Sequence, residues 1–291
     1  MPDKKIIIIG SGKLALDIAV YLRERGNEAI IYEKRISGSR FVEKLCKSRN
    51  IEYRCFDTEE MTEALKEDLR NYRLKVISAV NTYIFPKDIV EHRNFDGINY
   101  HNALLPYHRG MNAEAWAIYE MDSYTGITWH RISTAVDCGE IIVQRKIALD
   151  SSITSLKLLK KQTDIAFEAF KEFADKFIAD ERLECVTQIN KKCGFHKIKD
   201  IPNDGYINEK WDMSQIGAFL RAMDYGKLET LSEPRLKIGS ATFIWDRYKF
   251  VENQREEKDM IRIEDNNIII TKNNCGRHIV LTNIKVLEDA G

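Results

Sequence analysis

Residues 4–34 read KKIIIIGSGKLALDIAVYLRERGNEAIIYEK. Four isoleucines ending at Gly10 form a run that is apolar on both faces, as a strand buried inside a parallel sheet must be. From Lys13 to Arg25 the period changes. Leu14, Ile18 and Leu22, with Ala15 and Ala19, recur at helical spacing, and Gly26 closes the stripe. EAIIYEK then reads as a second strand. A strand, a tight glycine turn, a helix and another strand predict the opening unit of an α/β fold: a doubly wound, mainly parallel sheet.

Strand-like runs recur at IEYRCF (51–56), KVISAV (75–80) and DGINYH (96–101), with helical patterns between them. TGITWHRIS (125–133) and GEIIVQRKIAL (139–149) read as two further strands joined by TAVDC. Between Ser155 and Ile178 the apolar residues predict one long amphipathic helix that ends the first domain. From about Cys185 the texture changes. A loop-like stretch, KDIPNDGYINEKW, precedes a helix at MSQIGAFLRAM, and then come strand-like runs KIGSATFIW, NNIIITK and HIVLTNIKV. The expected division is a catalytic domain over 1–185 and a smaller, mainly β domain over 186–291.

The 291 residues carry 45 Lys+Arg against 45 Asp+Glu, so no basic excess points to a nucleic-acid partner. No apolar run is long enough for a signal peptide or a membrane span, so a cytoplasmic protein is expected. The six cysteines (46, 55, 138, 185, 193 and 275) form no CxxC pair. Cys193 and His196 are close, but two ligands do not make a zinc site, and reduced thiols are the expectation.

Two stretches compete as the functional site. GSGKLA (10–15) fits the G-x-G-x-x-G/A turn of dinucleotide-binding folds, and Glu33 ends the next strand where a ribose-binding acid belongs. The same glycines are required wherever a first strand turns tightly into a helix, whatever binds there. The second stretch is NYHNALLPYHRG (99–110), which gathers Asn99, His101 and His108 beyond a strand's carboxyl end, where ligands bind in such sheets.

NYHNALLPYHRG, then TGIT at 125–128, then DCGEII at 137–142 together resemble the folate-dependent formyltransferase family. Its pattern is Asn-x-His at a strand end, a Leu-Leu-Pro loop with a later glycine, a T-G-x-T strand and an Asp in D-x-G-[DE]-I-[IL]. The matching positions are Asn99 and His101, Leu104–Leu105–Pro106 with Gly110, Thr125 to Thr128, and Asp137 to Ile142. The resemblance covers about residues 4–180, and IPNDGYIN with FLRAMDYG is similar to the start of the family's C-terminal module. It implies a formyltransferase-type sheet, N10-formyltetrahydrofolate as formyl donor, no metal, and Asn99, His101 and Asp137 as the catalytic residues.

Chemistry agrees with that assignment. Moving a formyl group to an amine passes through a tetrahedral oxyanion, which a neutral amide such as Asn99 can stabilise where water is excluded. A histidine tuned near neutrality, His101, can act as general acid, and Asp137 can take the proton shed by the amine. SAVNTYIFP (78–86) resembles the family loop whose backbone reads the pterin ring. Val80, Ile84, Phe85 and Pro86, with Thr134 and Val136 from the later loop, are therefore expected to hold the donor. His108, Arg109 and His130 are expected on the acceptor side. Trp116 and Trp129 read as core residues.

The expected acceptor is a small primary amine: an amino sugar nucleotide, an amino acid or a carrier-tethered aminoacyl group. HRGMNAEAWAIYE departs from the RGAAP-type continuation of tRNA formyltransferases. With GITWH and RAMDYG it is closer to the amino-acid-directed formylation domains of peptide synthetases, with amino-sugar formylation close behind. Methionyl-tRNA formylation, the one route to a nucleic-acid partner, and a nicotinamide oxidoreductase or Rossmann binding module built on GSGKLA remain alternatives. A homodimer is compatible with the sequence.

Overall fold

A computed structural model describes residues 2–35, 41–189, 194–252 and 258–287. In chain order the elements are β1 (Lys4–Gly10), α1 (Gly12–Arg23), β2 (Ala29–Lys34), α2 (Phe41–Ser48), β3 (Tyr53–Phe56), α3 (Thr58–Asn71), β4 (Arg73–Ala79), α4 (Lys87–Val90) and β5 (Phe95–His101). There follow β6 (Arg109–Gly110), α5 (Ala113–Tyr119), β7 (Tyr124–Arg131), β8 (Ile141–Ala148), α6 (Ser155–Lys171), α7 (Ala174–Ile178) and β9 (Phe195–His196). A 3-10 turn at Pro202–Gly205 leads to α8 (Met213–Ala222). Seven short strands complete the chain: β10 (Leu236–Ile238), β11 (Ala241–Ile244), β12 (Arg247–Glu252), β13 (Met260–Glu264), β14 (Asn267–Thr271), β15 (Arg277–Thr282) and β16 (Lys285–Leu287).

Packing divides the chain into two compact units that interleave along the sequence. The first comprises Met1–Met111, Thr125–Ala148 and Leu159–His196; the second comprises Asn112–Tyr124, Leu149–Leu158 and Lys197–Gly291.

The first unit is built on a seven-stranded sheet in the order β3-β2-β1-β4-β5-β7-β8. β1 pairs in parallel with β2 and β4, and β4 in parallel with β5. β7 runs antiparallel to β5, so the sheet is mixed rather than wholly parallel. Both faces of β1 are covered, which is why Ile6 to Ile9 are all buried. Ile7 and Ile9 pack with Met61, Leu65 and Leu69 of α3. α3 starts at a capping box in which Asp57 and Glu60 satisfy each other's backbone amides. Gly10 has a structural reason for its identity, since a Cβ there would lie 1.8 Å from the Ala79 carbonyl of β4.

The helix expected over Ser155–Ile178 breaks in two. Phe173 leaves helical backbone (φ −126°, ψ −4°) and brings its ring within 6.0 Å of Trp129. Trp129 is fully buried against Phe170 as well, as a core residue.

The second unit has a core of α8 side chains (Ile216, Phe219, Leu220) packed with Leu236, Phe243, Ile268, Ile279 and Leu281 from its strands. Those strands form a three-stranded sheet, β10-β11-β16, and a four-stranded antiparallel sheet, β12-β15-β14-β13. KIGSATFIW and HIVLTNIKV, read as single runs, are each two strands separated by a turn. Gly239 (φ 61°) and Asn283 (φ 56°) supply the left-handed turn residues. No helix among the described residues is long and apolar enough to cross a membrane.

Candidate active site

β5 and β7 place the central side chains. Their register sets Asn99 opposite His130 and His101 opposite Thr128. Because side chains alternate along a strand, these four share one face, while Tyr100 and Trp129 pair on the other with rings 5.7 Å apart. The period of two thus sends one set of residues to the site and the other to the core.

Thr128 fixes the Leu-Leu-Pro loop. Its hydroxyl donates to the Ala103 carbonyl (2.6 Å) and accepts from the Leu105 amide (3.1 Å) and from Gln144 Nε2 (2.9 Å). Gln162, buried on α6, donates to the Asn102 and Gly126 carbonyls at 2.6 and 2.9 Å. The loop ends at Gly110, whose φ of 91° and 2.1 Å Cβ approach to the His196 carbonyl admit only glycine. β6 pairs there with β9, so His196 lies beside the loop and its ring stacks on His108 with centroids 5.6 Å apart.

Asp137 sits in the loop between β7 and β8 with left-handed backbone (φ 53°). Its carboxylate is nearly buried. Oδ2 accepts the Gly110 amide at 2.9 Å and lies 3.7 Å from His101 Nδ1, and Oδ1 lies 3.6 Å from His130 Nε2. Burial pushes this carboxyl's pKa up, but the positive charge that His101 and His130 carry once protonated, together with the Gly110 amide, outweighs burial and holds it well below the ordinary range. His101 moves down too, because burial disfavours its charged form by more than Asp137 favours it. At neutral pH the pair is an ionised carboxylate beside a neutral imidazole.

Hydrogen-bond partners fix the ring protons. The His108 carbonyl, 2.8 Å from His101 Nε2, can only accept, so His101 carries its proton on Nε2 and turns a free Nδ1 toward Asp137. His101 in this form offers the site a proton acceptor, where the motif alone suggests a general acid. The Arg131 carbonyl likewise takes the Nδ1 proton of His130 at 2.8 Å, leaving Nε2 to accept from Asn99 Nδ2 at 3.0 Å. That contact orients the amide and leaves its second N–H able to meet an oxyanion.

The residues expected to hold the donor lie on two loops. Val80 (φ 58°) and Ile84 are exposed, whereas Phe85 turns partly into the core against Tyr83 and Phe95. Asn81 spends its amide on Ser78 Oγ and on the Tyr83 backbone, which fixes the loop's path, and Pro86 caps α4. Thr134 and Val136 are exposed on the Asp137 loop. On the acceptor side Arg109 bonds Gln188 Oε1 at 2.9 Å, and His108 is nearly buried. Glu33, the candidate ribose acid, accepts the Tyr53 hydroxyl at 2.6 Å and is already partnered. Cys193 lies outside the described residues.

Motifs do not single out Thr128, Gln144, Gln162, Gln188 or His196 as members of this site. Thr128 lies inside TGIT, and period-two pairing with His101 is the signal that finds it; the others come from distant segments and carry no local signal.

A mixed, mainly parallel sheet of Rossmann-like kind carries an amide, an imidazole and a buried carboxylate at its strand ends, groups whose chemistry is compatible with acyl transfer. Residues 23–173 match the family described as Formyl transferase, and the chain belongs to that family. It is 31% identical over 126 residues to GDP-perosamine N-formyltransferase of Brucella melitensis, covering 43% of this chain and 47% of that protein. It is 32% identical over 104 residues to methionyl-tRNA formyltransferase of Lachnospira eligens, covering 35% and 33%. The matches thus span about half the length, or less, of these curated relatives. The fold is similar to an N-formyltransferase of Helicobacter canadensis solved with folinic acid and dTDP-3-aminofucose (TM-score 0.72, 17% identity, 96% and 98% coverage). It is also similar to WlaRD, a sugar 3N-formyl transferase solved with dTDP and 5-N-formyl-THF (TM-score 0.71, 18% identity, 98% of each chain).

Proposed function

We propose that the protein transfers a formyl group from N10-formyltetrahydrofolate to the primary amine of a nucleotide-linked amino sugar. The observation that carries this reading is the convergence of Asn99, His101 and Asp137 at the ends of β5 and the β7–β8 loop, with the carboxylate held ionised. The acceptor amine attacks the formyl carbon, and the oxygen's developing charge meets the free N–H of Asn99. The proton lost by the amine passes to Asp137 or to His101 Nδ1, directly or through a water. The bond between folate N10 and the formyl carbon then breaks, and N10 takes up a proton. No covalent enzyme intermediate is required.

The donor fits the two loops named above. Val80, Ile84 and Val136 present apolar surface to solvent, while Asn81 is committed to its own loop, so backbone groups and apolar side chains are left to meet a flat ring. The preference for an amino sugar over an amino acid rests on the likeness to GDP-perosamine N-formyltransferase and on the two whole-length fold neighbours. It replaces the leaning toward peptide-synthetase-like acceptors that the loop sequence alone favours. Methionyl-tRNA formylation is the second reading, favoured by the Lachnospira relative. The test is a screen of dTDP- and GDP-linked amino sugars, free amino acids and charged initiator tRNA, following tetrahydrofolate release and product mass. A nucleotide amino sugar gaining one formyl group supports the proposal. Formylation of tRNA alone, with a steep salt dependence, selects the second reading.

A further inference from the structure

Gln188 lies 51 residues beyond Asp137, in the segment after α7, and half-buried. Its Nε2 donates to the Asp137 carbonyl at 2.9 Å and to the Gly139 carbonyl at 2.7 Å, and its Oε1 accepts from Arg109 Nη2 at 2.9 Å. Both amide hydrogens and the oxygen are thereby used. The segment is anchored just before this point, where Val186 and Ile141 exchange two backbone hydrogen bonds of 2.8 Å, one in each direction. The same amide therefore grips the catalytic loop on either side of Cys138 and holds the arginine that neighbours Gly110. Asp137 needs such a grip. Its left-handed backbone is uncommon for a residue with a Cβ, and its carboxylate works only if it stays within reach of the Gly110 amide and the two imidazoles.

We infer that Gln188 is a positioning residue for the formyl-transfer site, locking the Asp137 loop in its working conformation and tying it to Arg109 on the acceptor side. The inference rests on the proposed function for its kinetic meaning, but its geometric content is independent of it. Gln188→Met keeps the size and removes all three hydrogen bonds. Gln188→Glu keeps an acceptor for Arg109 but loses both donors to the loop carbonyls. If the grip on the loop is what matters, both variants fail alike. A misplacement of the carboxylate on this scale costs roughly 10²-fold in turnover. The groups that face Asp137 are His101, His130 and the Gly110 amide, so loosening the loop also changes the titration of His101.

The experiment compares wild type, Gln188→Met, Gln188→Glu and the exposed neighbour Thr187→Ala. It records kcat and KM for the donor, the pH profile of kcat, and the imidazole titration of His101 by NMR without substrates. The expected result is a fall of roughly 10²-fold in kcat for both Gln188 variants with KM for the donor held and Thr187→Ala unchanged. His101 titrates at a lower pH as it loses the carboxylate beside it, and the limb of the kcat profile that follows its protonation moves down with it. A folded Gln188→Met protein with wild-type kcat and an unchanged His101 titration overturns the inference. So does a fall in kcat with neither shift, which is the signature of general damage. Wild-type protein with no formyl transfer contradicts the proposed function instead, and the His101 titration still decides the role of Gln188.

Discussion

Asn99, His101 and Asp137 do different work in the proposed reaction, and their substitutions separate accordingly. Asn99→Ala removes one preorganised oxyanion donor and is expected to lower kcat by about 10²- to 10³-fold. His101→Ala and Asp137→Ala remove proton-transfer groups and are each expected to cost about 10²- to 10⁴-fold. Steady-state kinetics on folded variants checks this, and near-wild-type turnover in any two of the three sinks the assignment. His101 also makes a prediction about stability. Its pKa is depressed in the fold by burial, so the unfolded chain takes up the proton first as pH falls. The stability gained from the neutral ring is complete above about pH 6.5, the ordinary imidazole value, and drains away below it as pH falls toward the lower folded value. Wild type should therefore lose more Tm than His101→Gln on acidification across that window; parallel curves would contradict the depressed value.

At the scale of elements, the site depends on how β7 grips the loop that follows β5. Thr128 is the point of attachment, buried and bonded to Ala103, Leu105 and Gln144. Thr128→Val keeps the shape and leaves buried backbone groups unpaired, which costs about 1–3 kcal/mol. Urea titration should show that loss for Thr128→Val and its recovery in Thr128→Ser; equal stability of all three proteins would refute the attachment. The pattern in β7 also shows what a sequence can reveal. Alternation in GITWH is enough by itself to put Thr128 and His130 on the face opposite Trp129, and the isoleucine run shows β1 to be buried on both faces. The break between α6 and α7 is not legible, because the helical period continues through Glu172 and Phe173. Tertiary packing of Phe173 on Trp129 overrides it. β12 and β13 escape notice because their edges mix charged and apolar residues, as in RYKFVE and MIRIE, without a clean run. Gln188 and His196 reach the site from far along the chain, and contacts of that kind leave no local trace.

For the whole molecule, Asn99, His101 and Asp137 are readable as a set because several short motifs occur in order at fixed spacings. The glycine turn at GSGKLA is equally visible and is explained by the contact between Gly10 and Ala79. Glu33 is engaged by Tyr53, and membership of the Formyl transferase family answers the oxidoreductase alternative. Calorimetry should accordingly show binding of 5-formyltetrahydrofolate, a donor analogue, and no binding of NADH or NADPH in the same cleft; tight nicotinamide binding without folate binding would reverse that conclusion. The acceptor is the least legible part, since the motifs that carry the family likeness are shared by sugar, tRNA and amino-acid formylation and leave the amine open.

In the proposed reaction this cleft moves a formyl group from folate nitrogen to an acceptor amine, with Asp137 handling the proton. That reaction is tested most directly by measuring tetrahydrofolate release and acceptor mass together, for wild type and for Asp137→Asn. Wild type should yield one formylated amine for each tetrahydrofolate released, and Asp137→Asn should lose about 10²- to 10⁴-fold. Release of tetrahydrofolate with no formylated amine, or an Asp137→Asn enzyme as fast as wild type, would contradict the proposal.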